Sequence, residues 1–103
     1  MEATMKVTRI TMAECISEEA LEKAVEDHRN SAAQVWPTAE FTLMVKTGPT
    51  SMLNVTVYPS EDAANATLDA REKWFEKNKH HLKDTFYYEG ELMTHLVITP
   101  PVN

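Results

Sequence analysis

The fold of this chain turns on three consecutive stretches: Phe41-Thr42-Leu43-Met44-Val45, then Thr47-Gly48-Pro49-Thr50, then Met52-Leu53-Asn54-Val55-Thr56-Val57-Tyr58. Two alternating segments rich in β-branched and aromatic residues flank a Gly-Pro break, which is the pattern of a β-hairpin. Side chains alternate across a strand, so this hairpin has two faces. One carries Phe41, Leu43, Val45, Leu53, Val55 and Val57, and the other Thr42, Met44, Met52, Asn54, Thr56 and Tyr58. A face washed by solvent would show charges, and neither set does, so both are predicted to be covered.

Downstream, Pro59 stops the hairpin and Ser60 reads as the N-cap of a helix whose first turn carries Glu61 and Asp62. The hydroxyl can accept from free backbone N–H groups, and the acids complement the positive end of the helix dipole. The predicted inner stripe is Ala64, Leu68, Arg71, Phe75, Asn78 and Leu82, with Trp74 beside it. Upstream, Ser17 with Glu18 and Glu19 gives the same start signal. Leu21, Ala24, Val25, His28, Ala32 and Val35 then recur at the three-and-four spacing of one helical face, up to Trp36-Pro37. Val7, Thr8, Ile10 and Thr11 place a first strand over Met5 to Met12, and a last strand is predicted from Glu91 to Thr99, after Gly90 and before Pro100-Pro101. The order β-α-β-β-α-β is an α+β arrangement with two helices crossing one face of an antiparallel sheet. The uncovered face is predicted to meet a second copy of the chain in a two-fold dimer.

At 103 residues the chain is read as one domain, 1–103, and its 43% hydrophobic and 25% charged residues are those of an ordered globule. No apolar run approaches the roughly 20 residues of a membrane span, and Met1-Glu2-Ala3-Thr4 lacks the regions of a signal peptide, so a cytoplasmic protein is expected. A net charge of −6 with interleaved Lys and Arg argues against nucleic acid. Cys15 is the single cysteine and reads as a small buried hydrophobe; the sequons at Asn54 and Asn65 are read as chance.

The run Asn54-Val55-Thr56-Val57-Tyr58-Pro59-Ser60-Glu61-Asp62-Ala63 resembles the corresponding stretch of the dimeric α/β-barrel superfamily, which includes antibiotic-biosynthesis and haem-degrading monooxygenases. The resemblance implies a ferredoxin-like protomer whose sheet packs on a partner's to form a barrel. In a cofactor-free branch, an Asn and an aromatic four residues later point into a pocket between sheet and helices, and Asn54 and Tyr58 match that spacing, with Tyr in place of Trp. On this reading Met52, Asn54, Thr56 and Tyr58 face the helices and a ligand, while Leu53, Val55 and Val57 face the partner. A mixed Met, Asn, Thr and Tyr face suits an apolar cavity with a few polar anchors, and an aliphatic one suits a dry interface. The chain departs from relatives in carrying Thr56 and Thr67 where many have Glu and His, and Ala64 where the cofactor-free branch has an aromatic. A haem-degrading site would use an Asn on the first strand with Trp and His on the second helix. Trp74 and His81 are present, seven residues apart, but the first strand offers Thr8, Arg9 and Thr11.

The candidate ligand-binding residues are therefore Asn54, Tyr58, Met52, Thr56, His28, Trp74 and His81. His28 lies on the buried stripe of the first helix as either a core histidine or a pocket base. His80 and His81 are neighbours and no pair of His has metal-binding spacing, so no metal is expected. Trp36, Trp74, Phe75, Phe86, Tyr87 and Tyr88 are read as core and dimer-edge residues, and His95 as a strand residue pointing to pocket or interface. The expected function is binding of an apolar molecule, fatty-acid-, quinone- or polyketide-like, without a cofactor. The alternatives are a cofactor-independent monooxygenase and a non-catalytic scaffold.

Overall fold

The computed structural model describes residues 5–99. Both predicted helix starts form. Ser17 Oγ accepts from the Ala20 N–H at 3.0 Å and opens α1, Glu18–Val35; Ser60 Oγ accepts from the Ala63 N–H at 3.1 Å and opens α2, Glu61–Asn65. A third helix, α3, follows over Leu68–Asn78 and tightens into a 3₁₀ turn, Lys79–His81. Four strands, β1 (Val7–Cys15), β2 (Phe41–Lys46), β3 (Ser51–Tyr58) and β4 (Leu82–Glu91), form one antiparallel sheet in the order β2-β3-β1-β4.

The hairpin has the predicted register: Phe41 faces Val57, Leu43 faces Val55, and Thr42 faces Thr56. Its two faces differ as expected. Met52, Thr56 and Tyr58 are buried on the helix side beside Ala13, Cys15, Ala20, Leu21 and Ala24. The opposite face carries no helix. There Leu43, Phe86 and Tyr88 are 51%, 54% and 59% exposed, and Met12 and Val45 are exposed with them. The register sets Met12 beside Phe86 and Ile10 beside Tyr88, so these residues form one apolar surface across all four strands.

Two predicted boundaries move. The last strand is Leu82–Glu91, not Glu91–Thr99, and β1 continues to Cys15, where a bulge shifts its pairing with β4. Lys83, Asp84 and Glu89 mask the alternation of Thr85, Phe86, Tyr87 and Tyr88, and Gly90 resembles a turn signal. Gly90 instead lies within the strand, where an added Cβ would meet nothing within 4 Å. Beyond it, residues 92–99 have no regular structure, with Leu96, Val97 and Ile98 75–84% exposed and His95 packed on Phe41 at 5.4 Å between ring centroids. The Pro100-Pro101 stop lies outside the described residues.

The second helix also differs, because it breaks at Ala66–Thr67. The break rotates the following turn, so Leu68 is exposed and Thr67, Trp74 and Asn78 turn inward. Thr67 precedes α3 but makes no side-chain cap; its hydroxyl is used inside the protein instead.

Candidate functional site

Period-two alternation along β3 aims Met52, Asn54, Thr56 and Tyr58 at the helices, and six of the seven predicted residues come together there. Those four, with His28 from α1 and Trp74 from α3, line one chamber, joined by Arg9, Thr11, Trp36, Met44, Arg71 and Phe75. Its roof is aromatic: His28 to Trp36, Trp36 to Trp74 and Trp74 to Phe75 are 5.2, 6.1 and 5.2 Å apart between ring centroids. The chamber is small, about 20 Å³, space for one water. It adjoins a larger open groove of about 670 Å³ between α3 and β4, and Thr11, Arg71 and Phe75 line both spaces. The groove falls within the roughly 300–1,000 Å³ range of small-molecule sites.

His81 does not join them. A 3₁₀ turn advances three residues per turn where an α-helix advances 3.6, so ending α3 at Asn78 removes the shared face that the spacing from Trp74 implied. His81 instead stacks on His80 at 3.8 Å, and its carbonyl accepts from the Ile16 N–H. Trp74 lines the chamber and His81 does not, and Arg9 and Thr11 are the β1 residues at the chamber wall. Among the described residues no group of three or more His, Cys, Asp or Glu could hold a metal ion.

Two polar networks occupy the walls. In the first, the Asn54 carboxamide nitrogen donates to the Leu43 carbonyl at 2.7 Å and the Thr42 hydroxyl at 2.9 Å, with His28 Nε2 at 3.3 Å. Thr56 donates to Asn54 Oδ1 at 3.2 Å and lies 2.9 Å from the Thr42 hydroxyl, which is 3.2 Å from His28 Nε2. Burial pulls the His28 pKa down, opposed by Asp27, so the imidazole is neutral at pH 7. Asn54 therefore organises its own surroundings and has no amide hydrogen to spare, since a carboxamide offers only two.

The second network ties the predicted Tyr58 to Arg9, Glu89 and Thr67, which sequence reasoning did not place at the site. Arg9 is buried on β1; its Nε donates to Glu89 at 2.7 Å and its Nη1 to the Ala64 carbonyl at 2.8 Å. That hydrogen bond holds the Glu89 carboxyl below its usual range. Thr67 Oγ1 lies 3.0 Å from the Tyr58 hydroxyl and donates to the Ala64 carbonyl at 2.9 Å. Tyr58 is thus anchored by the protein, with the Arg9 guanidinium 5.2 Å from its ring centroid. A signal for Arg9 was present: a single cation alternating with Val7, Thr11 and Ala13 on a strand must turn inward with them. Cys15 is buried, and burial raises its thiol pKa, as suits a packing residue.

No family model and no curated protein matches the sequence. Solved structures do match in shape. A protein of unknown function from Nitrosomonas europaea superimposes with a TM-score of 0.76 at 14% identity, covering 96% of this chain and 100% of that one. A dimeric ferredoxin-like protein from an uncultured marine organism gives 0.73 at 13% identity, covering 94% and 96%. SnoaB, a cofactor-independent oxygenase from Streptomyces nogalater, gives 0.72 at 11% identity, covering 88% and 96%. The chain therefore has the ferredoxin-like α+β fold of dimeric ferredoxin-like proteins and antibiotic-biosynthesis monooxygenase-type domains, as its hairpin and helix starts implied. Among the described residues no helix is long and apolar enough to cross a membrane.

Proposed function

We propose that the chain works as a homodimer that binds an apolar small molecule between α3 and the sheet. The body of the molecule occupies the groove and one end meets the chamber wall of Met52, Thr56, Tyr58, His28 and Trp74. The observation that carries this reading is the junction of a ligand-sized groove with an aromatic-roofed chamber in which the Asn54, Thr56 and Tyr58 polar groups are already tied into networks. Such walls keep their shape when the ligand enters, which lowers the cost of binding.

The dimer rests on the outer face. Leu43, Val45, Met12, Phe86 and Tyr88 lie exposed together on a sheet that carries no helix there, a surface that a second copy would cover in the dry manner of an obligate interface. The marine protein of the same fold is named as dimeric.

A second reading, oxygen chemistry on the bound molecule without a cofactor, is favoured by one feature. His28 is held neutral beside Asn54 at the chamber wall, so a proton acceptor stands close to a bound substrate. SnoaB, of the same fold, is named as a cofactor-independent oxygenase.

Native mass spectrometry of freshly purified protein tests the main reading. A dimer carrying a co-purified apolar mass is expected, and a ligand-free monomer would remove both the dimer and the binding reading. Oxygen uptake on addition of a polycyclic phenol, lost in Asn54→Ala, decides for the second reading; no uptake decides against it.

A further inference from the structure

The chamber wall contains two arginines and no carboxylate. Arg9 is ion-paired, its Nε donating to Glu89 while its Nη1 donates to the Ala64 carbonyl and makes a longer 3.4 Å contact with the Thr67 hydroxyl. Arg71 differs. Among the described residues its guanidinium has no ion pair and no hydrogen bond, and it lies between two rings, with its central carbon 4.7 Å from the Phe75 centroid and 4.1 Å from that of Tyr87. The groove's acids leave it alone: Glu76 pairs with Lys79 at 2.7 Å, and neither Glu72 nor Asp84 comes within ion-pair distance of it. An arginine cannot shed its proton to escape such a setting, and burial together with the nearby Arg9 pulls its pKa down from the ordinary value. Arg71 is half-buried beside an open groove that admits water, and an anion entering that groove would meet an unpaired guanidinium whose fork a carboxylate matches in two parallel hydrogen bonds.

Trp74, which lines the chamber, carries a second unclaimed donor. Trp74 is buried, and its indole N–H finds no acceptor in the protein. An indole nitrogen can only donate, as a guanidinium can only donate. Two nearby acceptors, by contrast, are occupied: Asn54 Oδ1 by Thr56, and the Ala64 carbonyl by Arg9 and Thr67. Arg71 and Trp74 thus leave donors without partners here, one of them carrying positive charge, in a protein whose net charge is −6.

We propose that the bound molecule is an apolar carboxylate, its hydrocarbon or ring body in the groove and its carboxylate seated on Arg71 where groove and chamber meet. This inference rests on the binding reading above and names its ligand class. Phe75 and Tyr87 hold the guanidinium in place by their faces, and the same rings offer apolar contact to the ligand body.

Isothermal titration of the protein at neutral pH, with matched pairs that differ only in the head group, tests it. The pairs are decanoate against 1-decanol for a chain, and 2-naphthoate against 2-naphthalenemethanol for a ring. In at least one pair the acid is expected to bind about tenfold tighter or better than the alcohol, as one charge-assisted bidentate contact allows. Arg71→Gln is expected to erase that preference while leaving the alcohol's affinity within about twofold, and Arg71→Lys to restore part of it, because a lysine supplies charge without the fork. Circular dichroism checks that the variants fold, and the wild-type comparison stands without them. Equal affinities for acid and alcohol, or a preference that survives in Arg71→Gln, would overturn the carboxylate inference while leaving apolar binding intact. Failure of both acids and both alcohols to bind would overturn the binding reading and this inference together.

Discussion

The two faces of β3 differ in how their side chains are satisfied. On the helix side, Asn54, Thr56 and Tyr58 each have protein partners within hydrogen-bonding distance, and Met52 fills the core between them. On the other side, Leu53 and Val55 contribute aliphatic surface and their neighbours Leu43 and Val45 stand exposed, whereas Val57, at 1% exposure, is already buried within the protomer. One eight-residue strand thus builds both a polar-studded wall and a dry one. Polar groups appear on the buried side because each finds a partner there, and they are absent from the other because a buried interface would leave them unpaired.

The largest expected effect is on the helix side. Trp74→Ala removes a buried indole packed between Trp36 and Phe75, and urea unfolding should show a loss of about 3–5 kcal/mol with the association state unchanged. A loss under 1 kcal/mol would mean that the aromatic roof does not hold this face. Next comes the outer face. Val55→Asp is expected to weaken the dimer by about 2 kcal/mol or more, a dissociation seen in sedimentation velocity at micromolar protein. Asn54→Asp should leave the dimer intact while lowering monomer stability, because a carboxylate cannot donate to the Leu43 carbonyl or Thr42. Dissociation by Asn54→Asp and not by Val55→Asp would exchange the roles of the faces.

The smallest effect is a slope. His28 has its pKa lowered by burial, so as pH falls below about 6.5 the unfolded chain takes up the proton first. The stability contributed by a neutral His28 is complete above that pH and is lost as pH falls toward the folded-state value. His28→Gln should reduce the slope of the stability profile just below about pH 6.5, and His81, whose pKa is lowered by burial and by the neighbouring His80, leaves a residual slope that persists in the variant. Asp27, whose pKa is lowered by hydrogen bonds from Asn78 and Lys77 against an opposing burial effect, and Glu89, bonded to Arg9, add a separate loss below about pH 4 that should persist in the variant. An unchanged slope between pH 6.5 and 5 in His28→Gln would show that the imidazole is not held neutral by the fold.

Much of the site was legible because its residues follow short periods. Alternation along β3 placed Met52, Asn54, Thr56 and Tyr58 on one wall, and the three-and-four spacing of α1 turned His28 toward them. His81 failed because its position depended on a helix continuing past Asn78, and Thr67 was noticed only as a position lacking a histidine although it supports Tyr58.

Alternation and capping, both set by neighbours a few residues away, determined the hairpin, its two faces, the helix starts at Ser17 and Ser60 and the β-α-β-β-α-β order. Tertiary structure decided the rest. Leu82–Glu91 is a strand because it pairs with β1, some eighty residues earlier, where Arg9 meets Glu89 across the ladder. The break between α2 and α3 lets the Thr67 hydroxyl and the Ala64 carbonyl meet Arg9. The space between α3 and β4, and the unpaired guanidinium facing it, exist only once elements far apart in the chain are packed together.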